Sequence, residues 1–490
     1  MKKILLSTFI CFSCLFTFSQ NLTLKLIDKH SKTPIPYATI KTGKHSGTIT
    51  NEEGYFTVNT SNNNLSITIS CMGYQNKVLN IQDLKLLKNS IELEEAINQL
   101  NEVYISNKAP NADSIIAKAK RNIKTNYNNN LNKHSIFRRV TNYVNFKDLK
   151  FEIEKASHVK KKNLEFANNE LKTLSKKIKE SNMVHFEDFK GELYTFNKDT
   201  SKLIVNKATQ LLDYENDFTI EQIQEKAQHI ILKYLDTTKT YKLKTGIFKI
   251  DDSLSLKEEN QKDNSNKKEY EVSHLNNESR SFLKRSQFYK NSFLNKILNS
   301  NLYEYSHADI VNNNNELTHI INFSPKKGKA KYTGQLFISN NTYAVTRIDY
   351  KYYKNRHGEK VNLKLILGIK YIENVSTGTL LFEKDSTNIY HPKYLKHTSG
   401  SYFYVNRDVK FIENSSAKNK VNFSFKIEGN NSNKEELLFT GNTKISLKDF
   451  EAIKQDKVVP YKQLNKFEKT IWENEQIIEP SLEMKAFKTK

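Results

Sequence analysis

Histidines, carboxylates and a single mature thiol are the side chains with which this sequence could do chemistry. The tightest group is His185, Glu187 and Asp188 in VHFEDF, an imidazole beside two carboxylates. Such a group contributes to a divalent-cation site only where three or four ligands converge. His357 and Glu359 in NRHGEK flank a glycine and read as a solvated loop. Asp251 and Asp252 are adjacent, and adjacent side chains on an extended chain point to opposite faces, so they make no dyad. A zinc site of the His-x-x-Glu kind needs Glu three residues after His, and none of the twelve histidines has it. HExxH, GxSxG and the phosphate-binding glycine loop are absent as well. Cys71, in ITISCMGY, has no basic neighbour to lower its thiol pKa and reads as a small buried hydrophobe. These observations favour a protein that is not an enzyme and that carries no catalytic residue, cofactor or metal.

The N-terminus bears on location. Lys2 and Lys3 precede an apolar run from Ile4 to Phe18, with small residues at Thr17 and Ser19, the order of a secretory signal peptide. The run is shorter than the ~20 residues of a membrane helix, and position 20 is Gln where a lipoprotein would carry Cys. The expected leader is residues 1–19. The expected location is exported, periplasmic or associated with the outer membrane. Cys11 and Cys14 fall within that leader, so no intramolecular disulfide is expected in the mature chain.

Lys and Arg number 77 against 54 Asp and Glu, a net charge of +23 that attracts anionic surfaces. Only eight of those cations are Arg, the residue that usually reads phosphates and bases, and export also argues against nucleic acid. The expected partners are envelope proteins or anionic and apolar components of the envelope, with peripheral membrane association. Hydrophobic residues make up 37%, but 28 Phe and 25 Tyr supply large area per residue for building cores.

The elements that would position any site begin with closely spaced β-forming runs. LTLKLI, PIPYATI, GYFTV, LSITISCMGY and NKVLNI follow one another between Leu22 and about Ile105, the pattern of a sandwich. In GTITNEEGYFTV, Thr48–Thr50 and Tyr55–Val58 are hairpin arms joined by Asn51, Glu52, Glu53 and Gly54. Asn bonds its local backbone and Gly accepts a positive φ, so conformation alone accounts for these residues. The set from Pro34 to Ile40, then Gly47 to Phe56, then Ile69 to Tyr74, resembles the carboxypeptidase regulatory-like domain. That family's pattern has Asp where this chain has Asn51. The resemblance implies a prealbumin-like, Ig-like sandwich of seven strands without catalytic residues.

Residues 106–135 read as a helical linker, with Asn111 or Asp113 as N-cap, and 136–490 as an α+β domain. Leucines at helical spacing predict helices over 163–179, 219–235 and 281–298, and the polar stretch at about 251–280 predicts a mobile loop. Strand runs such as KYTGQLFIS, TYAVTRIDYKYY and VNLKLILGIKYI then predict a large, curved antiparallel sheet with packed helices. Tyr332, Gly334, Leu336, Ile338, Tyr343, Ala344 and Ile348 resemble a signature of half-barrel lipoprotein carriers of Gram-negative envelopes. Trp472, Ile477, Ile478 and Pro480 resemble the closing segment of such proteins. On this sheet Leu336, Ile338, Tyr343, Val345, Leu363, Leu365, Tyr402, Tyr404, Phe423 and Phe425 are expected to share one face. The expected function is binding or assembly in the envelope, with an apolar cleft for a lipid or similar ligand along Leu336, Ile338, Tyr343, Val345, Leu363, Tyr402 and Phe423. A scaffold for an outer-membrane complex and an unrecognised hydrolase are the alternatives.

Overall fold

A computed structural model describes residues 21–43, 47–60, 66–87, 89–96, 110–127, 131–181, 183–213, 223, 226–227, 229–230, 233, 238–245, 248–255, 270–313 and 316–489. The leader expected at 1–19, most of the helix expected at 219–235 and residues 256–269 of the polar stretch lie outside them.

The chain divides into two compact units. The first comprises Met1–Ile105, Ile310–Thr318 and Glu468–Lys485. Its strands are β1 (Asn21–Asp28), β2 (Thr39–Lys41), β3 (Gly47–Ile49), β4 (Tyr55–Asn59), β5 (Ser66–Ser70), β6 (Lys77–Asn80) and β7 (Ser90–Leu93), with helix α1 (Ile81–Leu86) before β7. They form two sheets, ordered β4-β1-β7 and β3-β2-β5-β6. Side chains alternate across a strand, so Leu24 and Leu26, Phe56 and Val58, Ile67 and Ile69, and Ile91 and Leu93 all turn into one apolar core. The result is the sandwich that the closely spaced strands predict, and it is Ig-like, as the resemblance implies. Cys71 is half-buried against that core.

The second unit comprises Ser106–Asp309, His319–Phe467 and Ala486–Lys490. A single cut near residue 105 therefore does not describe the chain. Residues 310–318 and 468–485 group with the sandwich, because Gly73 N donates to Asn312 O and Thr48 Oγ1 to Ile477 O. The remaining strands are β8 (Asn132–Ala156), β9 (Met183–Thr195), β10 (Ser201–Leu211), β11 (Thr240–Thr245), β12 (Phe248–Ser255), β13 (Tyr303–Asn313) and β14 (Glu316–Pro325). They continue with β15 (Tyr332–Ser339), β16 (Val345–Tyr352), β17 (Lys360–Leu363), β18 (Ile369–Lys384), β19 (Tyr390–Glu413), β20 (Lys420–Lys444) and β21 (Tyr461–Leu464). They join in one sheet with the main order β13-β14-β15-β16-β18-β19-β20-β8-β9-β10-β21. Nearly all its pairings are antiparallel, β10 with β21 being parallel.

Helices cover this sheet with apolar stripes. In α2 (Ala112–Arg121) the Asn111 side chain accepts from Ser114 N, which makes Asn111 the N-cap. Ile115, Ile116 and Ala119 of α2 bury against a core that includes Ile136, Leu336 and Ile348. Helix α3 (Lys161–Glu180) sets Ala167, Leu171 and Ile178 on a second core with Phe151, Ile153 and Phe423. Helix α4 (Val272–Leu283) presents Val272, Leu275, Ser279 and Phe282 inward.

Several expectations need correction. Strand β8 already begins at Asn132, so the linker does not extend to 135. Residues 272–280 are helix rather than loop, because Val272, Leu275 and Phe282 form a buried stripe within a polar composition. The helix expected over 281–298 is instead the end of α4, a single turn at Lys284–Ser286 and a short helix at Phe293–Ile297. Asn291 at φ 67° breaks the run, and the Ser292 side chain caps the new helix by accepting from Asn295 N. VNLKLILGIKYI is a hairpin rather than one strand, since Gly368 at φ 63° turns the chain between β17 and β18.

Candidate functional site

A cavity of about 230 Å³ opens at one end of the central strands of the second unit. Four strands bring its floor together: Phe382 on β18 lies opposite Pro392 on β19, and Asn132, two residues before His134 on β8, lies opposite Thr195 on β9. The segment Leu283–Tyr289 after α4 and Tyr127 after α2 complete the walls, and the exposed Asn197 and Lys198 stand on the open side.

One wall is aromatic. The Tyr127 ring lies 4.4 Å from Phe288, 5.5 Å from Phe382 and 6.1 Å from Tyr390, centroid to centroid. Those distances and tilts are the usual ones for packed rings. The Tyr127 hydroxyl donates to Val345 O at 2.7 Å, and burial pushes its pKa well up. It therefore stays a neutral phenol.

The polar wall holds two histidines in different surroundings. Asn442 Nδ2 donates to His391 Nδ1 at 2.8 Å, which assigns the proton to Nε2, 2.9 Å from Asp385 Oδ2. Burial pushes the Asp385 carboxyl up, but hydrogen bonds from Thr387, Ile389 and His391 outweigh it and hold the group at about 2. Both His391 nitrogens thus have hydrogen-bond partners. His134 is buried, edge-on to Phe439, with Nε2 only 3.4 Å from Thr195 Oγ1. Burial, with His391 adding to it, depresses its pKa to about 3, so the ring is neutral at ordinary pH. Its Nδ1 has no hydrogen-bond partner, and neither has Asn442 Oδ1 on the strand opposite. An orphaned buried polar atom costs about 1–3 kcal/mol. A ligand group that satisfied it would recover that energy. The hydroxyl of Ser286, also on the wall, is committed to Leu283 O at 2.8 Å.

The residues expected to line an apolar cleft do not meet. Leu336, Ile338 and Val345 are fully buried in the core that α2 and α4 also enter. Tyr343 sits in the turn between β15 and β16 at φ 57°, its hydroxyl accepting from Lys118 Nζ at 3.0 Å. Phe423 belongs to the core under α3, with Phe425 packed at its edge. Tyr402 is half-buried, donating to Glu428 Oε1 at 3.0 Å. Leu363 and Leu365 are exposed at the β17–β18 turn. The cavity residues that matter, Tyr127, His134, Phe288 and His391, are spread from position 127 to position 391 and give no local pattern; only the fold convenes them.

Strand alternation also splits the acidic and imidazole cluster. Asp188 faces Arg139 in a two-pronged pair, Nε to Oδ1 at 2.8 Å and Nη2 to Oδ2 at 2.7 Å, while Glu187 on the other face accepts from Gln210. Burial pushes the carboxyls of both Glu187 and Asp188 up. Among the described residues no three His, Cys, Asp or Glu side chains are placed to hold one metal ion.

In the first unit the polar residues serve the backbone. Asn51 Oδ1 accepts from Glu53 N at 3.0 Å and Tyr55 N at 2.8 Å, and Gly54 takes φ 80° where a Cβ would lie 2.6 Å from Leu26 O. Residues 25–105 match the family model of the CarboxypepD_reg-like domain. The chain matches no curated protein and no solved structure. Within the CarboxypepD_reg-like domain the exchange of the family's usual Asp for Asn51 has a physical reason. The Asn51 amide also donates, to Glu479 O at 3.1 Å and Pro480 O at 3.4 Å, which a carboxylate could not do. The segment carrying Trp472, Ile478 and Pro480 is thereby held to the domain, with Thr48 Oγ1 donating to Ile477 O at 2.7 Å.

Proposed function

We propose that the protein is a non-enzymatic, exported envelope protein that binds a small amphipathic ligand in the cavity of its second unit. The leader-like N-terminus and the CarboxypepD_reg-like domain support a place in the periplasm or at the outer membrane. The large sheet, read as curved and lined by helices, is the scaffold of the site. The observation that carries the proposal is His134, a buried neutral imidazole with an unpartnered Nδ1, which lines a cavity walled on one side by Tyr127, Phe288, Phe382 and Tyr390. The rings take an apolar body, and His134 exchanges a hydrogen bond with a hydroxyl, amide or carboxyl head. The volume narrows the ligand. A dry apolar cavity of ~150 Å³ holds benzene, and drug-sized sites begin near ~300 Å³. About 230 Å³ suits a single substituted ring or a short acyl end rather than a whole lipid.

The test is a thermal-shift screen of the full chain with small phenolic and indolic acids, monosaccharides and short fatty acids. A ligand at about a hundred times its Kd adds roughly 2.7 kcal/mol of stability. At least one class should raise the melting temperature of the wild type and lose that effect in His134→Leu and in Phe288→Ala. A panel that stabilises wild type and both variants equally, or none of them, removes the cavity as the binding site.

A further inference from the structure

The β17–β18 hairpin turns its apolar side chains outward. Leu365 is fully exposed and Ile366 is 77% exposed, on a single helical turn, Lys364–Leu367, that buries none of its residues. Val361, Leu363 and Tyr371 extend the exposed apolar surface along the hairpin arms. Soluble surfaces scatter single hydrophobes, so a cluster of this kind marks an interaction site.

The tip is held in shape. Gly368 turns at φ 63°, where a Cβ would lie 1.9 Å from Asn406 O, and Asn406 N donates to Gly368 O at 2.8 Å. Arg407 Nη1 donates to Leu367 O at 2.9 Å, and its Nε to Thr245 Oγ1 at 3.1 Å. Lysines and tyrosines surround it, with Asp148 paired to Lys426 and Glu428 accepting from Tyr402. Lys364 Nζ lies 4.3 Å from the Tyr404 ring centre and Lys370 Nζ 5.3 Å from that of Tyr402, with Lys147 and Lys426 over the same two rings. From Lys351 to Tyr371 the sequence has six Lys or Arg residues and one Glu.

We propose that this tip enters an anionic lipid surface, with Leu365 and Ile366 reaching the acyl boundary and Lys360, Lys364 and Lys370 meeting the headgroups. Each part of the device has a physical role. Branched apolar side chains gain by leaving water. Tyrosines place an apolar ring and a polar hydroxyl at the level of the headgroups. Lysines are attracted to phosphate, and their stems span the boundary between apolar and polar layers. The charge of the whole chain, +23, favours the same surface. A second copy of the chain is a poorer occupant, because it would set one lysine-rich rim against another. The proposal does not rest on the cavity. The tip contacts β19 at Asn406, fifteen residues from His391 and roughly 50 Å along the strand at ~3.3 Å per residue.

The test is co-sedimentation of the full chain with vesicles of phosphatidylglycerol and phosphatidylethanolamine, against vesicles of phosphatidylcholine alone. The wild type should bind the anionic vesicles and release as salt rises. L365S with I366S should weaken that binding about tenfold or more. K364Q with K370Q should weaken it and flatten the salt dependence. Both pairs are exposed or half-exposed, so circular-dichroism melts of the variants should match the wild type. His134→Leu should leave vesicle binding unchanged, so failure of the cavity and failure of the tip are told apart. Equal binding by wild type and L365S/I366S overturns the proposal. So does a wild-type dimer, seen by sedimentation without vesicle binding, that the same double variant dissolves.

Discussion

Both units bury polar side chains, and they do so to different ends. In the first unit these groups mostly bond backbone, much of it in nearby turns. Thr50 Oγ1 accepts from Ala38 N at 2.9 Å and donates to Ile35 O at 2.8 Å, Asp28 collects the amides of His30 and Ser31, and Asn51 closes the β3–β4 connection. The core between its sheets gathers Leu24, Ile40, Phe56, Ile69 and Leu93. In the second unit the buried polar groups lie within the sheet and pair with each other over long sequence separations. Arg139 meets Asp188 at 49 residues, Tyr394 Oη donates to Glu436 Oε1 at 42, and Arg285 Nη2 meets His397 Nε2 at 112. A turn group leaves a solvated or backbone partner behind when it is lost. A paired charge inside a sheet leaves another charge without water or counterion. Mutational cost should follow that difference.

The sharpest break comes at Arg139 and Asp188, both almost wholly buried. Burial alone pushes the Asp188 carboxyl up, with Arg139 pulling against it. Asp188→Ala should cost about 3–5 kcal/mol, because it strands the guanidinium rather than because the pair itself is strongly stabilising. Arg139→Met with Asp188→Leu removes both charges and should cost far less. Urea unfolding followed by far-UV circular dichroism measures both. Equal losses would show that the site depends on packing rather than on the pairing.

Histidine burial supplies a second contrast, read by pH. His134 and His397 are both depressed to about 3, His134 by burial with His391 adding, His397 by burial with Arg285 adding. An unfolded histidine titrates near ~6.5, so between that pH and about 3 the unfolded chain binds more protons than the native one. Stability is therefore complete above ~6.5 and falls as pH drops, by up to ~1.4 kcal/mol per pH unit for each histidine. Chemical denaturation at pH 5 and pH 7 should show this loss, and His134→Leu should remove about half of it. An unchanged slope in that variant would mean that His134 gains a proton in the native state without penalty.

The same contrast explains what could be read in advance. Leu24 and Leu26 alternate with polar neighbours, and Asn51 with Gly54 punctuates two strands, so the sandwich was written in local signals, although β3 and β4, expected as the arms of one hairpin, fall in different sheets. Helix α3 was legible because Leu171, Leu174 and Ile178 recur at helical spacing within a single run. Helix α4 was not, since Asn276, Asn277 and Glu278 make its stretch look like loop while Val272, Leu275 and Phe282 carry the packing. VNLKLILGIKYI has the apolar content of a strand, and the turn in it depends on Gly368 approaching Asn406, which is distant in sequence. Nothing local marks the cavity, because Tyr127, His134, Phe288 and His391 come from four separate elements.

Asn51 allows the two modes to be separated at one residue. Its Oδ1 does the local work of the turn, and its Nδ2 does the long-range work of holding the segment at Glu479 and Pro480. Asn51→Asp preserves the acceptor and abolishes the donor, placing an anion against two carbonyl oxygens. The turn should survive and the clamp should weaken, by about 1–2 kcal/mol. Trp472, the one tryptophan of the chain, is buried in the clamped segment and reports on it by fluorescence. Its emission should shift to the red at lower denaturant in Asn51→Asp, while the circular-dichroism transition dominated by the long strands stays where it was. A variant in which the Trp472 transition does not move would assign the clamp to Thr48 and to the burial of Trp472 and Ile478 instead. It would leave Asn51 as a turn residue like those around it.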